Sequence, residues 1–185
     1  MFIHLPDTLP FLLKKKNRPQ DGKGEEMKHD IFSKWIKVVI IGTALIGIGA
    51  CAYLVPELFR AFKRWYPELT SWVAPWMSLI YVCAAPCFAA LVTGWLIADN
   101  IGRDKSFTMK NAGLFKLFSL LALGDSIVFG VGSLVYTLLG FNHPGLLLIQ
   151  MLIVFVGLAI FVCMAALSYL VGKAAALQED SDLTI

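Results

Sequence analysis

The chain has 185 residues, of which 58% are hydrophobic and only 16% charged, and its formal net charge is +3. Its mean hydropathy of +0.72 lies well above the range of soluble domains, and the charged residues collect in a few short stretches. These totals exclude a water-soluble globular domain. The small positive charge, without a basic stripe beside aromatic residues, also gives no support for direct nucleic-acid binding.

The first 26 residues differ from the rest of the chain. They mix proline, charge and glycine without helical periodicity, so we expect a disordered leader over 1–26. The run KGEE at 23–26 would be encoded by purine-rich codons that resemble a bacterial ribosome-binding site, which favours Met27 as the natural start. The alternative is a disordered basic tail held near anionic lipid. Residues 27–185 form the predicted single domain.

Four apolar segments follow, and each is long enough to cross the hydrocarbon layer as a helix, for which about 20 residues are needed. They cover residues 36–55, 76–98, 115–139 and 144–172. The sequence therefore predicts an all-α membrane protein, a bundle of four transmembrane helices. Aromatic residues that prefer the headgroup region lie near the segment ends, namely Trp35, Trp65, Tyr66, Trp72, Trp76 and Trp95.

The connection between the first two apolar segments has a pattern of its own. Apolar residues recur there at roughly helical spacing, with charged residues between them. We expect a short interfacial helix, limited by Pro67 and Pro75. A lid or ligand-sensing element on the outer face is the functional alternative. The apolar positions are Leu58, Phe59, Phe62, Trp65, Leu69 and Trp72.

Lysine and arginine are unevenly divided between the two sides of the predicted bundle. The side with fewer carries Arg60, Lys63 and Arg64. The positive-inside rule places the richer side in the cytoplasm. We therefore expect a multi-pass protein of the bacterial cytoplasmic membrane, with both termini and the acidic tail 174–185 in the cytoplasm. From Met27 onward the richer side carries Lys28, Lys34, Lys37, Arg103, Lys105, Lys110, Lys116 and Lys173.

Small residues indicate where helices meet, because hydrophobicity inserts helices into lipid but does not drive them together. Three predicted spans carry small residues at every fourth position, and we expect these stripes to face protein. The spacing does not separate contacts within one chain from contacts in a homo-oligomer. The stripes are Thr43, Gly47 and Cys51; Ala85, Ala89 and Thr93; and Ala122, Ser126 and Gly130.

Asp125 is an acid within a predicted span. It lies about ten residues into the third segment, or ~15 Å at 1.5 Å per residue, which is near the middle of the membrane. A charged carboxylate at that depth is costly, so we expect it to be protonated or hydrogen-bonded, with Ser126 and Gln150 in the same polar site. Thr43 and Thr93 are further candidate neighbours. The site is either a proton or cation site, a polar switch, or a neutral acid that helps helices associate.

No pattern in the chain predicts catalysis. Cys83 and Cys87 share a helix face and could supply two thiolates to a soft metal, but no His or carboxylate is placed to complete a site, which favours simple packing. His4, His29 and His143 lie outside the spans and belong to no nucleophile–base arrangement. We expect a non-enzymatic protein with no cofactor and no metal.

Two stretches resemble a known family. The loop GRDKSFTMKN at 102–111 and the tail AAALQEDSDLTI at 174–185 are similar to bacterial proteins of the domain-of-unknown-function 2975 family. The resemblance implies four spans over about 27–185, a Phe-Ser/Thr-x-x-Asn signature carried here by Phe107 and Asn111, and an acidic ending. It also implies a gene that often lies beside the gene of a short helix-turn-helix regulator, a neighbourhood that suggests a role in regulation. It assigns no biochemical activity.

Two functional hypotheses follow from these observations. The first is a membrane regulator or sensor whose cytoplasmic loop and acidic tail hold a soluble partner, such as a helix-turn-helix transcription regulator. The second is a small proton- or ion-linked transporter, channel or immunity-type protein that uses Asp125, and a purely structural assembly subunit is a third reading. The candidate partner-binding residues are Phe107, Asn111, Glu179, Asp180, Asp182, Leu183, Thr184 and Ile185.

Overall fold

The computed structural model describes residues 18–103 and 105–183, and the side chains of 31–103, 105–143 and 145–181. Four helical stretches in this part of the chain are long and apolar enough to cross a membrane, and these ranges contain no strand. The predicted all-α membrane fold with four transmembrane helices is confirmed. The elements are α1 Arg18–Gly49, a π-helical stretch Ala50–Leu54, α2 Val55–Trp65, a 3₁₀ turn Pro67–Leu69, α3 Thr70–Gly102, α4 Met109–Leu138 and α5 Pro144–Leu183.

The transmembrane helices pack in chain order. Within the described residues α1 packs against α3, α3 against α4, and α4 most extensively against α5, whereas α1 and α5 have no substantial contact. Consecutive spans run in opposite directions, so one end of the bundle carries the α3–α4 loop together with Lys34, Lys116 and Lys173. We call this the Lys-rich end. The opposite end carries α2 and the α4–α5 turn.

The expected interfacial helix is not separated from the first span, because α1 passes through the π-helical stretch directly into α2. The Val55 amide donates to the Ala50 carbonyl. In that pattern the Cys51 carbonyl would need the amide of Pro56, and proline has none. The Tyr81 hydroxyl of α3 donates to the Cys51 carbonyl instead, at 2.9 Å. The first span and the amphipathic helix therefore form one continuous helical segment.

The α4–α5 interface follows a seven-residue repeat. The positions of α5 that face α4 recur at alternating steps of three and four residues. Two such steps make seven residues, so the average step is 3.5 residues. That period is the pattern of coiled-coil-like packing between long helices. Besides Asn111, the buried positions of α4 are Ala112, Ser119, Ser126 and Ser133. The buried or half-buried positions of α5 that fit this spacing are Gln150, Val154, Gly157, Phe161, Met164, Ser168, Val171 and Ala175.

Small side chains allow α4 and α5 to approach closely. A Cβ added at Gly157 of α5 would overlap the Ser126 hydroxyl of α4. The Ser168 hydroxyl of α5 donates to the Ala112 carbonyl of α4 at 2.8 Å. Because lipid supplies no hydrophobic force between helices, close packing and interhelical hydrogen bonds of this kind stabilise the pair.

The expected four-residue stripes describe this packing only in part. Ser126 and Gly130 of the third stripe face α5. Thr43 of the first stripe and Ala85 and Ala89 of the second are exposed in the single chain, so for them the intrachain interpretation is wrong. A step of four residues turns about 40° around a helix of 3.6 residues per turn, and a stripe at that spacing soon leaves the contact line. Seven-residue spacing stays close to it.

The turn between α4 and α5 depends on Gly140, whose φ is +75°. The amides of Gly140 and Phe141 donate to the carbonyls of Thr137 and Tyr136, at 3.1 and 2.8 Å. This is the Schellman arrangement, in which a left-handed glycine ends a helix. The Trp76 indole of α3 then donates to the Phe141 carbonyl at 2.8 Å. The turn is thus fixed both by its own backbone and by α3.

Both ends of the described chain extend helices beyond the predicted segments. α1 begins at Arg18, so residues 18–26 are helical where the sequence predicts a disordered leader, and residues 1–17 lie outside the described residues. α5 continues through most of the predicted tail and ends at Leu183. The acidic segment after residue 174 is therefore a helical extension of the fourth span.

The close approach at Gly157 makes a testable prediction. Gly157→Ala should lower the free energy of unfolding in detergent by about 1–3 kcal/mol, because the new methyl group meets the Ser126 hydroxyl across a tight interface. Gly124→Ala is the matched control, since no atom lies within 4 Å of its added Cβ; it should be neutral or stabilising by up to about 1 kcal/mol. Unfolding by SDS titration, followed by circular dichroism, measures both. Equal effects would refute the tight interface.

Candidate functional site

Asn111 organises the α3–α4 loop at the Lys-rich end. Its side chain is 1% exposed; it accepts from the Asn100 amide at 3.1 Å and donates to the Ser106 carbonyl at 3.0 Å. Its backbone amide donates to the Thr108 hydroxyl, the N-cap of α4, at 3.3 Å. The expectation that Asn111 itself contacts a partner does not fit this burial. Its side chain instead joins the end of α3, the loop and the start of α4.

Two large apolar side chains beside Asn111 face outward. Phe107 is 58% exposed and Met109 is 62% exposed. Phe107 precedes the third apolar helical stretch, Met109–Leu138, and Met109 is its first residue. We call Phe107 and Met109 the loop face. The buried hydrogen bonds of Asn111 give this face a fixed backbone.

Ion pairing fixes α1 against the same end of α3. The Lys37 ammonium lies 2.9 Å from Asp99 and 5.3 Å from the centre of the Trp95 ring. Arg103 makes a second ion pair with Asp99, also at 2.9 Å. One turn before Lys37, the Ser33 hydroxyl donates to a buried α3 carbonyl at 2.6 Å. The Lys-rich end is therefore cross-linked between α1 and α3 as well as through the loop.

The last turns of α5 carry the remaining candidate residues. Val171 and Ala175 are buried against α4, whereas Glu179 and Asp180 are exposed farther along the same helix. A cleft whose lining includes Met109 and Lys173 brings the loop face next to α5. The loop and the α5 extension therefore share one end of the molecule. Asp182 and Leu183 are helical but their side chains lie outside the described ones, and Thr184 and Ile185 lie outside the described residues altogether.

Asp125 lies in the middle of α4 and faces α3. Its Oδ2 accepts from the Cys87 thiol at 3.5 Å. Its Oδ1 is buried and has no hydrogen-bond partner among the described residues. An acid oxygen without a hydrogen-bond donor is costly at mid-membrane. The Cys87–Asp125 contact was not expected from the sequence, although both residues lie near the middle of consecutive spans.

Ser126 and Gln150 do not join Asp125 in one polar site. The Ser126 hydroxyl donates to the Ala122 carbonyl at 2.7 Å and faces α5, not α3. Gln150 lies near the opposite end of the bundle and exchanges two hydrogen bonds with Asn142, at 2.7 and 3.2 Å. The expected three-residue cluster is therefore wrong, because adjacent residues of a helix face directions about 100° apart.

The other expected neighbours of Asp125 are satisfied within their own helices. The Thr43 hydroxyl donates to the Val39 carbonyl at 2.9 Å, and the Thr93 hydroxyl donates to the Ala90 carbonyl at 2.8 Å. No group of three or more His, Cys, Asp or Glu residues in the described part of the chain is placed to hold a metal ion. The residues found beside Asp125 are Cys87 and, one turn before it on α3, Cys83. A carboxylate therefore lies beside these two thiols, contrary to the expectation from the sequence.

The four spans define an integral membrane protein of the small four-helix class, with polar contacts around Asn111 and at Asp125. Residues 57–185 match DUF2975, a family of proteins of unknown function, and the chain belongs to this family. The chain is similar to the uncharacterized membrane protein YoaS of Bacillus subtilis (strain 168), with 27% identity over 157 residues that cover 84% of this chain and 96% of that protein. No solved structure matches the chain. The family resemblance of the loop and tail is thereby confirmed.

Proposed function

We propose that the protein is a non-enzymatic membrane regulator or sensor that engages a soluble cytoplasmic partner at its Lys-rich end. The observation that supports this most is the loop face, an exposed aromatic and an exposed methionine held on a backbone that Asn111 fixes from within. Rigid, exposed aromatic side chains are frequent anchors of protein interfaces.

The α5 extension supplies the second element of the proposed docking surface. Glu179 and Asp180 lie about two helical turns beyond Lys173, at 1.5 Å per residue roughly 10 Å past it. These acidic side chains suit a partner with a basic surface. Charge complementarity between two proteins speeds their association and fixes the orientation of the complex. A helix-turn-helix transcription regulator, the kind of protein whose gene the family resemblance places nearby, has a basic surface of this kind.

Phe107→Ala and removal of residues 178–185 test this proposal. Full-length protein, purified in mild detergent from its native cells, should retain a reproducible set of soluble proteins. Each change should lower that recovery by about 30-fold, because truncating a central anchor costs on the order of 2 kcal/mol. Quantitative mass spectrometry of the retained proteins provides the measurement.

The matched control for Phe107→Ala is Trp65→Ala, which removes an exposed aromatic side chain (77% exposed) at the opposite end. It should leave the retained set unchanged. If Phe107→Ala and the truncated chain retain the same proteins as the unchanged chain, the Lys-rich end is not the docking surface and the proposal fails.

A second candidate function is a small proton- or ion-linked transporter, channel or immunity-type protein. The observation that favours it is the buried Oδ1 of Asp125, which has no partner among the described residues. Gain or loss of a proton or cation there would change the packing of α3 against α4, where the Cys87 thiol already touches the carboxyl group. Intramembrane acids of this kind frequently mark proton or ion pathways.

Asp125→Asn tests the second candidate, because asparagine keeps the size of the side chain and removes the titratable group. Liposomes that hold the full-length protein and a pH-sensitive dye should show proton uptake above protein-free liposomes, and Asp125→Asn should abolish the excess. Asp99→Asn is the control, since Asp99 is ion-paired at the end of α3 and should not alter uptake. Undiminished uptake by Asp125→Asn would assign the carboxyl group a structural role.

A further inference from the structure

A cleft of about 610 Å³ opens between α4 and α5 at the Lys-rich end. Its floor is made of small residues, including Ala112, Gly113 and Gly172, and its rim carries Lys116 and Lys173. No acidic residue lines it. The rim of the cleft is therefore positively charged, and the small residues that line the cleft leave space for a ligand.

Neither lysine of the cleft has a partner among the described residues. Lys116 and Lys173 are both exposed, and neither makes an ion pair or a side-chain hydrogen bond there, whereas Lys37 at the same end is paired with Asp99. Both lysines line one cleft, so an anion bound there could contact two ammonium groups.

The depth of the cleft in the membrane indicates where that anion comes from. Lys116 is the second residue of the predicted segment 115–139, and Lys173 directly follows the predicted segment 144–172. Both ammonium groups therefore lie at the level of the lipid headgroups. Tyr169, which is 70% exposed and lines the same cleft, is a residue type that prefers this level. Leu120, one turn deeper than Lys116, offers an exposed apolar surface to an acyl chain.

We propose that this cleft binds the headgroup of an anionic phospholipid, with its phosphate between Lys116 and Lys173. Lysine ammonium groups bind phosphate oxygens as point charges, and basic pockets between transmembrane helices recognise phospholipid headgroups. A lipid with two phosphates, such as cardiolipin, satisfies both lysines at once. The bound lipid would brace α4 against α5 at the end where the loop face lies.

Lipid titration tests the site. Native mass spectrometry of the detergent-solubilised full-length chain, titrated with cardiolipin, should show saturable binding that exceeds binding of phosphatidylcholine. Lys116→Gln and Lys173→Gln should each weaken cardiolipin binding about fivefold, and the double variant about 30-fold, as expected from the attraction of each lysine near an anionic membrane surface. Gly113→Leu should weaken it as well, because it adds a bulky side chain to the lining of the cleft and leaves both lysines in place; its added Cβ meets no atom within 4 Å.

Lys34→Gln/Lys63→Gln is the matched control, since it removes two exposed lysines that do not line the cleft. It should bind cardiolipin like the unchanged chain. Three results would overturn the proposal. The first is equal weakening of cardiolipin binding by the control pair and by the double variant Lys116→Gln/Lys173→Gln; the second is full binding by Gly113→Leu and also by that double variant. The third is complete competition by inorganic phosphate at the concentration of the lipid. The last would assign the cleft to free phosphate.

Discussion

The fold depends on how four helices associate in lipid, where no hydrophobic force drives apolar surfaces together. Lipid tails solvate leucine as well as another leucine does, so association must come from close packing and from hydrogen bonds. The α4–α5 pair supplies both, through buried serine and alanine residues at seven-residue spacing and through the Ser168 hydroxyl on the Ala112 carbonyl. The other helices pack in chain order on this pair: α3 contacts α4, and α1 contacts α3. Within the described chain α1 and α5 therefore have no substantial contact.

The two ends of the bundle use different chemistry for the same purpose. At the opposite end, aromatic side chains donate to backbone carbonyls, as Trp76 does to Phe141 and Tyr136 does to Pro75. At the Lys-rich end, ion pairs and the buried Asn111 join α1, α3 and α4. This end is polar and also exposes the large apolar side chains Phe107 and Met109. The proposed regulatory role and the proposed lipid site both use this end, and they share Met109, which belongs to the loop face and also lines the cleft.

The sequence predicted the span number well, because hydropathy over about 20 residues is a strong, local signal. It predicted the helix contacts poorly. A search at four-residue spacing found Ser126 and Gly130 but also selected Ala85 and Ala89, which face away from the chain. The seven-residue repeat of α4 was readable in the sequence and would have found the interface. The Cys87–Asp125 contact was harder to predict, because it depends on the relative depth and rotation of two helices, which no local pattern contains.

Oxidative cross-linking between α4 and α5 tests the central claim, that this close-packed pair organises the bundle. A Cβ at Gly172 lies 3.6 Å from the Ala112 Cβ, a distance that suits a disulfide. With the native cysteines replaced, Ala112→Cys/Gly172→Cys in membranes should form an intrachain disulfide that joins the tryptic peptides 111–116 and 117–173. Gly113→Cys/Gly172→Cys should form far less, since residue 113 points about 100° away. Equal yields from the two pairs, or only cross-links between chains, would contradict the account.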